Sequence, residues 1–409
     1  MPMKPYGACP ASKTPRFTLF SQRSRFVTEP NPLAQAMARR QASGQSLLDL
    51  TVTNPTRCGL NRQVAEQQAL ASLIHHDGVE YSPSAQGLST ARTALSTYLS
   101  THTSTISPET LHLVASTSEG YSHLFRLLCN PGDTILAPQP SYPLLDHILQ
   151  WDGVDIQGYP LICQQNRWKI DLQGLKNAMD SRTKAVVVIQ PGNPTGAVLD
   201  QKEREELSAF CAKWDLAVIS DEVFAEFYPH SSHSSFSPLP ASFLGWEECL
   251  AFTLGGLSKS LGLPHFKLGW IATSGPQASE ARARLDLLCD TFLSVSTPLQ
   301  VALPELLALQ PQLGDPIRAR LRESELILQQ TTQGSGIRFH GLSGGWCGLL
   351  EIPGLEDDEA FAIRLIEEAG VLVQPGYLYD FEEEHFLVVS LLTPPETLVS
   401  GMEAILARI

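Results

Sequence analysis

An amide, a carboxylate and a primary amine follow one another along this chain, each placed directly after a short apolar run. Asn193 lies in Gln190-Pro191-Gly192-Asn193-Pro194-Thr195-Gly196, behind the run 185–189. Asp221 lies in Ser220-Asp221-Glu222, behind 216–219, and Lys259 in Gly255-Gly256-Leu257-Ser258-Lys259-Ser260, behind 250–254. Taken singly, each has an ordinary role: a tight turn, a helix cap, a solvated lysine. Taken together and in order, they are what the carboxyl ends of parallel strands would bring to one crevice, where open α/β sheets bind ligands. An amide, a carboxylate and an amine would therefore converge on one crevice.

The elements that must position these groups are readable in outline. Between about residues 110 and 275, short β-branched apolar runs (134–137, 185–190, 216–220, 250–254) alternate with helical stretches. Continuous apolar runs of this length predict strands covered on both faces, hence a mostly parallel central sheet with helices on both sides. Asp200 followed by Glu203 is a capping-box pattern, predicting a helix through Glu206 to about Lys213. A second helix is predicted over 119–129. Beyond residue 300, helical segments (317–331, 358–369) alternate with Gly-rich strand candidates (345–352, 386–392), as in a smaller α+β unit. Residues 1–45 read as an irregular arm ending in a short helix over 32–41, and 230–237 as an exposed loop. The expected division is a large unit over 60–300 and a small one built from 1–59 and 301–409.

Composition removes several classes. With 29 Lys+Arg against 43 Asp+Glu in 409 residues, the net charge of −14 opposes the phosphate backbone of nucleic acid, and no basic cluster offsets it. No run approaches the roughly 18–20 apolar residues of a membrane span, and no apolar export segment follows the N-terminus. Eight cysteines are scattered without a CxxC pair; they read as buried thiols in a reducing cytoplasm, not as a disulfide framework or metal site.

With PGNPTG, SDEVF and SKSLGLPHFKLGW in place, the sequence over about 45–400 resembles the class I/II aminotransferases, pyridoxal 5′-phosphate (PLP) enzymes of fold type I. The resemblance implies a Schiff-base and proton-shuttling role for Lys259. It sets Asp221 against the pyridine nitrogen, Asn193 on the cofactor's phenolic oxygen, and Tyr142 stacked on the ring. Opposite charges about 3 Å apart at an effective dielectric of ~20 attract by roughly 5 kcal/mol, about four pKa units, enough to keep that ring nitrogen protonated. The phosphate would lie at the helix start formed by Ser116, Thr117 and Ser118. Lys267 stands where the family has arginine, and Tyr81 would reach across a homodimer to the partner's phosphate.

Two departures bear on chemistry. Phe224 replaces the tyrosine whose hydroxyl donates to the phenolic oxygen; losing a bond worth roughly 1.5–3 kcal/mol should make the Lys259 imine hold its proton more tightly, and Phe224→Tyr should loosen it. The carboxylate-gripping arginine of R-x-S falls at Val388 in Val388-Val389-Ser390, and valine cannot bind an anion. Arg57 with Asn54 is the first substitute, and Trp346, Tyr377 and Tyr379 are candidate pocket-lining aromatics. The expected activity is amino transfer from an amino acid or amine to a keto acid. The same constellation supports carbon–sulfur β-lysis, racemisation or decarboxylation, and a retired PLP-binding protein is the alternative of another class.

Overall fold

A computed structural model of the chain describes residues 19–26, 28–74, 76–101, 105–229, 239–341, 344–355, 357–382 and 385–409. Most of the N-terminal arm and the 230–237 loop lie outside the described residues. Eight strands form the central sheet: β1 (Leu111–Val114), β2 (Thr134–Gln139), β3 (Asp155–Gln164), β4 (Arg167–Ile170), β5 (Thr183–Ile189), β6 (Ala217–Asp221), β7 (Ala251–Gly256) and β8 (Gly269–Ser274). Their order is β1-β8-β7-β6-β5-β2-β3-β4. Neighbours from β7 through β3 pair in parallel, while β8 and the edge strand β4 pair antiparallel.

The continuous apolar runs are explained by burial on two faces. Along β5, Ala185 and Val187 join Tyr121, Phe125, Leu149 and Leu285 in one core. Their neighbours Val186 and Val188 join Leu175, Leu207 and Cys211 in another. Successive side chains of a strand point to opposite faces, so a strand with a helical layer on each side has no polar phase. The helix predicted from Asp200 spans Gln201–Lys213 and carries both capping-box bonds, Glu203 N–H to Asp200 Oδ1 at 2.9 Å and Asp200 N–H to Glu203 Oε2 at 2.8 Å. The helix predicted over 119–129 begins two residues earlier, at Thr117, because Ser116 caps it.

Beyond the central sheet, β9 (Arg338–Phe339), β10 (Cys347–Glu351), β11 (Gln374–Pro375) and β12 (Phe386–Ser390) form an antiparallel sheet ordered β9-β10-β12-β11. The two chain ends meet there. Leu48–Asp49 pairs in parallel with Val371–Leu372, and Leu33 and Ala36 of the helix Pro32–Ala42 share a core with Leu321, Leu365, Leu387 and Met402. The helix Thr297–Ala308, which crosses residue 300, packs instead with Leu95, Leu111 and Leu268.

Candidate active site

Three chain crossings at the carboxyl edge of the central sheet assemble the site. Asp221 ends β6, and its carbonyl accepts the Gln190 N–H at 2.9 Å, tying the Asn193 turn to the neighbouring strand end. Lys259 lies in the single helical turn Leu257–Ser260 directly after β7. The first glycine before it is sterically required: a Cβ on Gly255 would sit 2.4 Å from the Trp270 ring. Glu222, adjacent to Asp221, is turned to a different task. It accepts from Ser220 Oγ, Gln190 Nε2, Ser242 Oγ and the Phe243 N–H at 2.6–3.1 Å, a buried brace for the strand ends.

A fourth crossing comes from the opposite sheet. The segment leading into β10 runs across the Asn193 turn, where Gly344 has φ +136° and a Cβ would lie 2.7 Å from Pro191. Backbone bonds from Gly345 N–H to Phe227 O (3.2 Å) and from Leu391 N–H to Trp346 O (2.8 Å) fix the path. This places Trp346 with its ring centroid 4.8 Å from Lys259 Nζ, while the Phe224 ring lies 5.2 Å from the same atom. Phe224 and Phe227 pack edge-on to Trp346 at 5.4 and 5.2 Å. The next residue, Cys347, donates its thiol to Asn193 Oδ1 at 3.3 Å.

Burial dominates the electrostatics. It pushes the Lys259 ammonium below its ordinary pKa, opposed in part by Cys347 and Asp221. Burial likewise raises Asp221, opposed by the Val223 N–H, by the Tyr121 hydroxyl, which donates to Oδ2 at 2.9 Å, and by Lys259. The Cys347 thiol is pushed up to about 12 by burial. It is therefore neutral at physiological pH, which leaves Asp221 as the counter-charge to Lys259. Tyr142 is held beside Cys347, and burial raises its phenol too.

The structure thus brings together Asn193, Asp221, Lys259, Tyr142 and Trp346. Ser116 caps the helix Thr117–Leu128 through its Oγ and the Glu119 N–H at 3.2 Å. Gly269 abuts Ser116 and Thr117 so closely that a Cβ would lie 3.1 Å from the Thr117 nitrogen. Lys267 is exposed two residues upstream, at φ +53°. The Glu119 carboxylate accepts from Ala115 N–H and Ser294 Oγ, which removes one backbone donor from the anion end of this helix. Tyr81 is 73 % exposed.

The proposed substrate residues are more dispersed. Asn54 spends its Oδ1 on the Thr56 N–H and hydroxyl, and the guanidinium of Arg57 on that turn is exposed, with no hydrogen bond or ion pair among the described residues. Tyr377 receives Asn31 Nδ2 at 3.5 Å and donates its N–H to Asp358. Val388 is buried opposite Leu349, on the strand face that carries Cys347.

Two residues escaped sequence reading. Tyr121 is one helical turn beyond the cap residues, and nothing local marks its hydroxyl as aimed at Asp221. Cys347 was grouped with the inert buried thiols, but its register on β10 directs it to Asn193. A further correction concerns Cys163, which is exposed rather than buried.

These residues suit PLP. Among the described residues the Lys259 amine makes no hydrogen bond, and the buried indole N–H of Trp346 has no partner. Among the described residues the buried Asp221 gains a counter-charge only from Lys259, so a cationic ring nitrogen would complete it. The architecture, a mostly parallel sheet with the lysine at a strand end, is that of fold type I PLP enzymes. The chain belongs to the family "aminotransferase class I and II", which it matches over residues 48–405; it is a transaminase-family enzyme whose cofactor is pyridoxal 5′-phosphate. It is 26 % identical to nicotianamine aminotransferase 1 of Oryza sativa over 84 % of this chain and 71 % of that protein. It is 30 % identical to S-alkyl-thiohydroximate lyase SUR1 of Arabidopsis thaliana, over 59 % of this chain and 52 % of that one. The solved alanine aminotransferase of Pyrococcus furiosus superposes with a TM-score of 0.81 at 24 % identity, covering 92 % of this chain and 95 % of that chain.

Proposed function

We propose that the protein transfers an amino group from an amino acid or amine to a keto acid, with Lys259 as the residue that both carries the cofactor and moves the proton. The observation behind this is the burial of the Lys259 amine beside Asp221, in the crevice that also holds Asn193. The cofactor supplies an electron sink for the bond broken at the substrate's Cα. The chain supplies the rest. Desolvation keeps the Lys259 amine closer to its neutral, nucleophilic form, which would suit it both to hold the cofactor and to move a proton at the substrate's Cα. Asp221, oriented by Tyr121, would hold the ring nitrogen's proton. Asn193, with its carbonyl occupied by Cys347, would have its amide hydrogens left for the phenolic oxygen. The Ser116–Ser118 helix start and Lys267 take the phosphate, Lys267 as a point charge without arginine's fork. Exposed Tyr81 is available to a second copy of the chain, in line with a homodimer sharing its sites.

Substrate recognition departs from an arginine-held α-carboxylate, since Val388 is buried and apolar. The test is a donor screen on the cofactor-loaded protein, with and without α-carboxylates, repeated on Arg57→Ala, scoring keto product and the aminated cofactor. Keto product in step with aminated cofactor supports transamination. Ammonia and pyruvate without aminated cofactor would move the assignment to β-lysis, the reading that the similarity to a lyase favours. Among the described residues no helix is long and apolar enough to cross a membrane, and all seven described cysteines are free, as a reducing cytoplasm would leave them.

A further inference from the structure

A thiol, an imidazole and a carboxylate meet where the β3–β4 hairpin touches the smaller sheet, with no residue in common with the Lys259 crevice. Cys163 on β3 pairs across the hairpin with Trp168 on β4, so their side chains share one side. There the Cys163 Sγ lies 3.8 Å from His340 Nδ1, and the other ring nitrogen, Nε2, lies 2.8 Å from Glu351 Oε2. Arg338 holds that carboxylate in turn, its Nη1 reaching both oxygens at 2.9 Å. The imidazole is fixed as well: His340 donates its N–H to Leu349 O at 3.2 Å, and its ring packs against Trp168 and Phe386.

These contacts set the proton positions. A carboxylate only accepts, so His340 Nε2 carries the hydrogen. Burial lowers the pKa of His340, and Arg338 and His385 add to the effect against the pull of Glu351. The ring is therefore neutral, and Nδ1 turns a lone pair toward the sulfur. Burial and Glu351 raise the thiol, against the Asn166 N–H and Arg338, so the resting pair is a neutral thiol beside a neutral base. Nucleophile, base and orienting group in sequence are the arrangement that activates a cysteine. A high thiol pKa does not oppose this, because a sulfur relieved of its proton during attack is more nucleophilic the higher its pKa. All three residues line an open cavity of about 790 Å³, walled by Trp168, Phe381 and Phe386. Among the described residues Cys163 is the only exposed cysteine.

We propose that Cys163 is a modification site for low-molecular-weight disulfides, with His340 as its base and Glu351 orienting that base. As the Cys163 sulfur attacks one sulfur of the disulfide, its proton passes to His340 Nδ1. The attacked S–S bond breaks, a new one forms to Cys163, and the departing thiolate takes the proton back from His340. Cys163 is oxidised and the leaving thiol is reduced, so no further oxidant is needed, and excess free thiol reverses the exchange.

The test treats the cofactor-loaded full chain with oxidised glutathione at about pH 7, traps the remaining thiols and maps the adduct by peptide mass spectrometry. One adduct is expected, on Cys163, and Cys163→Ser should abolish it. It should form faster than on the same cysteine in urea-unfolded chain, where an unassisted thiol is only a few per cent thiolate at that pH. His340→Gln, which keeps the thiol and removes the base, should slow the adduct by about 10²-fold. The folded-against-unfolded comparison depends on no variant, so it stands even if His340→Gln fails to fold. A folded-state rate equal to or below the unfolded one overturns the proposal. So does an adduct spread over Cys129 and Cys347, or an unchanged rate in folded His340→Gln.

Discussion

The two sides of the crevice are made by different rules. On the central-sheet side, Asp221 ends a strand and Asn193 and Lys259 each follow one within four residues. On the opposite side, the residues that would meet substrate come from turns and strands widely separated in sequence: Asn54–Arg57, Trp346–Cys347, Tyr377 and Val388. Here the position that the family resemblance gives to a carboxylate-gripping arginine is the buried Val388, while the Trp346 indole and the Cys347 thiol lie near the amine. On the proposed reading, the first half sets the reaction type and the second sets what the crevice admits.

The comparison breaks most visibly at Lys259. Lys259→Ala should lose turnover by at least about 10³-fold if, as proposed, the same amine carries the cofactor and the proton, and the imine absorbance band should vanish with it. Retention of either would place the chemistry elsewhere. Asp221→Asn should cost roughly 10²–10³-fold in kcat, and Tyr121→Phe about tenfold, the loss of one hydrogen bond to a charged group. Both should leave KM nearly unchanged. A Tyr121→Phe effect equal to that of Asp221→Asn would mean that the tyrosine does more than orient the carboxylate. On the other side of the crevice, Arg57→Ala should raise KM for carboxylate-bearing donors roughly tenfold at constant kcat, the mark of uniform binding lost. An unaffected KM removes Arg57 from recognition and directs attention to the backbone amides near Gly344.

What could be read from sequence divides along the same line. The alternating β5 core, the capped helix from Asp200 and the three strand-end residues were legible because each follows from a local pattern: burial on both faces, a four-residue box, a polar residue after an apolar run. Cys347 was not legible, since a cysteine on a small antiparallel strand looks like any buried thiol until strand register aims it at Asn193. Tyr121 was hidden for a related reason: its hydroxyl acts across the gap between a helix and a strand a hundred residues later. The orphaned Trp346 N–H could be found only by asking which buried donors lack acceptors, a question about packing in three dimensions.

The smallest expected effect concerns stability, and it tests whether the cofactor side stores an unfavourable charge pair for function. Lys259 and Asp221 are both buried, and both have pKa values displaced toward their neutral forms. A lysine with a lowered folded pKa weakens the fold by its full penalty below that pKa. The penalty fades as pH climbs to the ordinary 10.5, because only then does the unfolded chain lose the proton too. A raised Asp221 behaves oppositely: its penalty is full above the folded pKa and fades as pH falls toward 3.8. Removing Lys259 alone would strip Asp221 of its counter-charge, so neither single variant isolates the effect. Removing both leaves no unpaired charge, and replacing a buried ion pair is often neutral or stabilising by about 1–4 kcal/mol. The cofactor-free double variant Lys259→Met with Asp221→Asn should therefore unfold at higher denaturant than the unmodified apoprotein at pH 7, with a gain that narrows as pH approaches 10.5. A loss of stability at pH 7 would mean that the two charges hold the crevice together, and that their burial is structural before it is chemical.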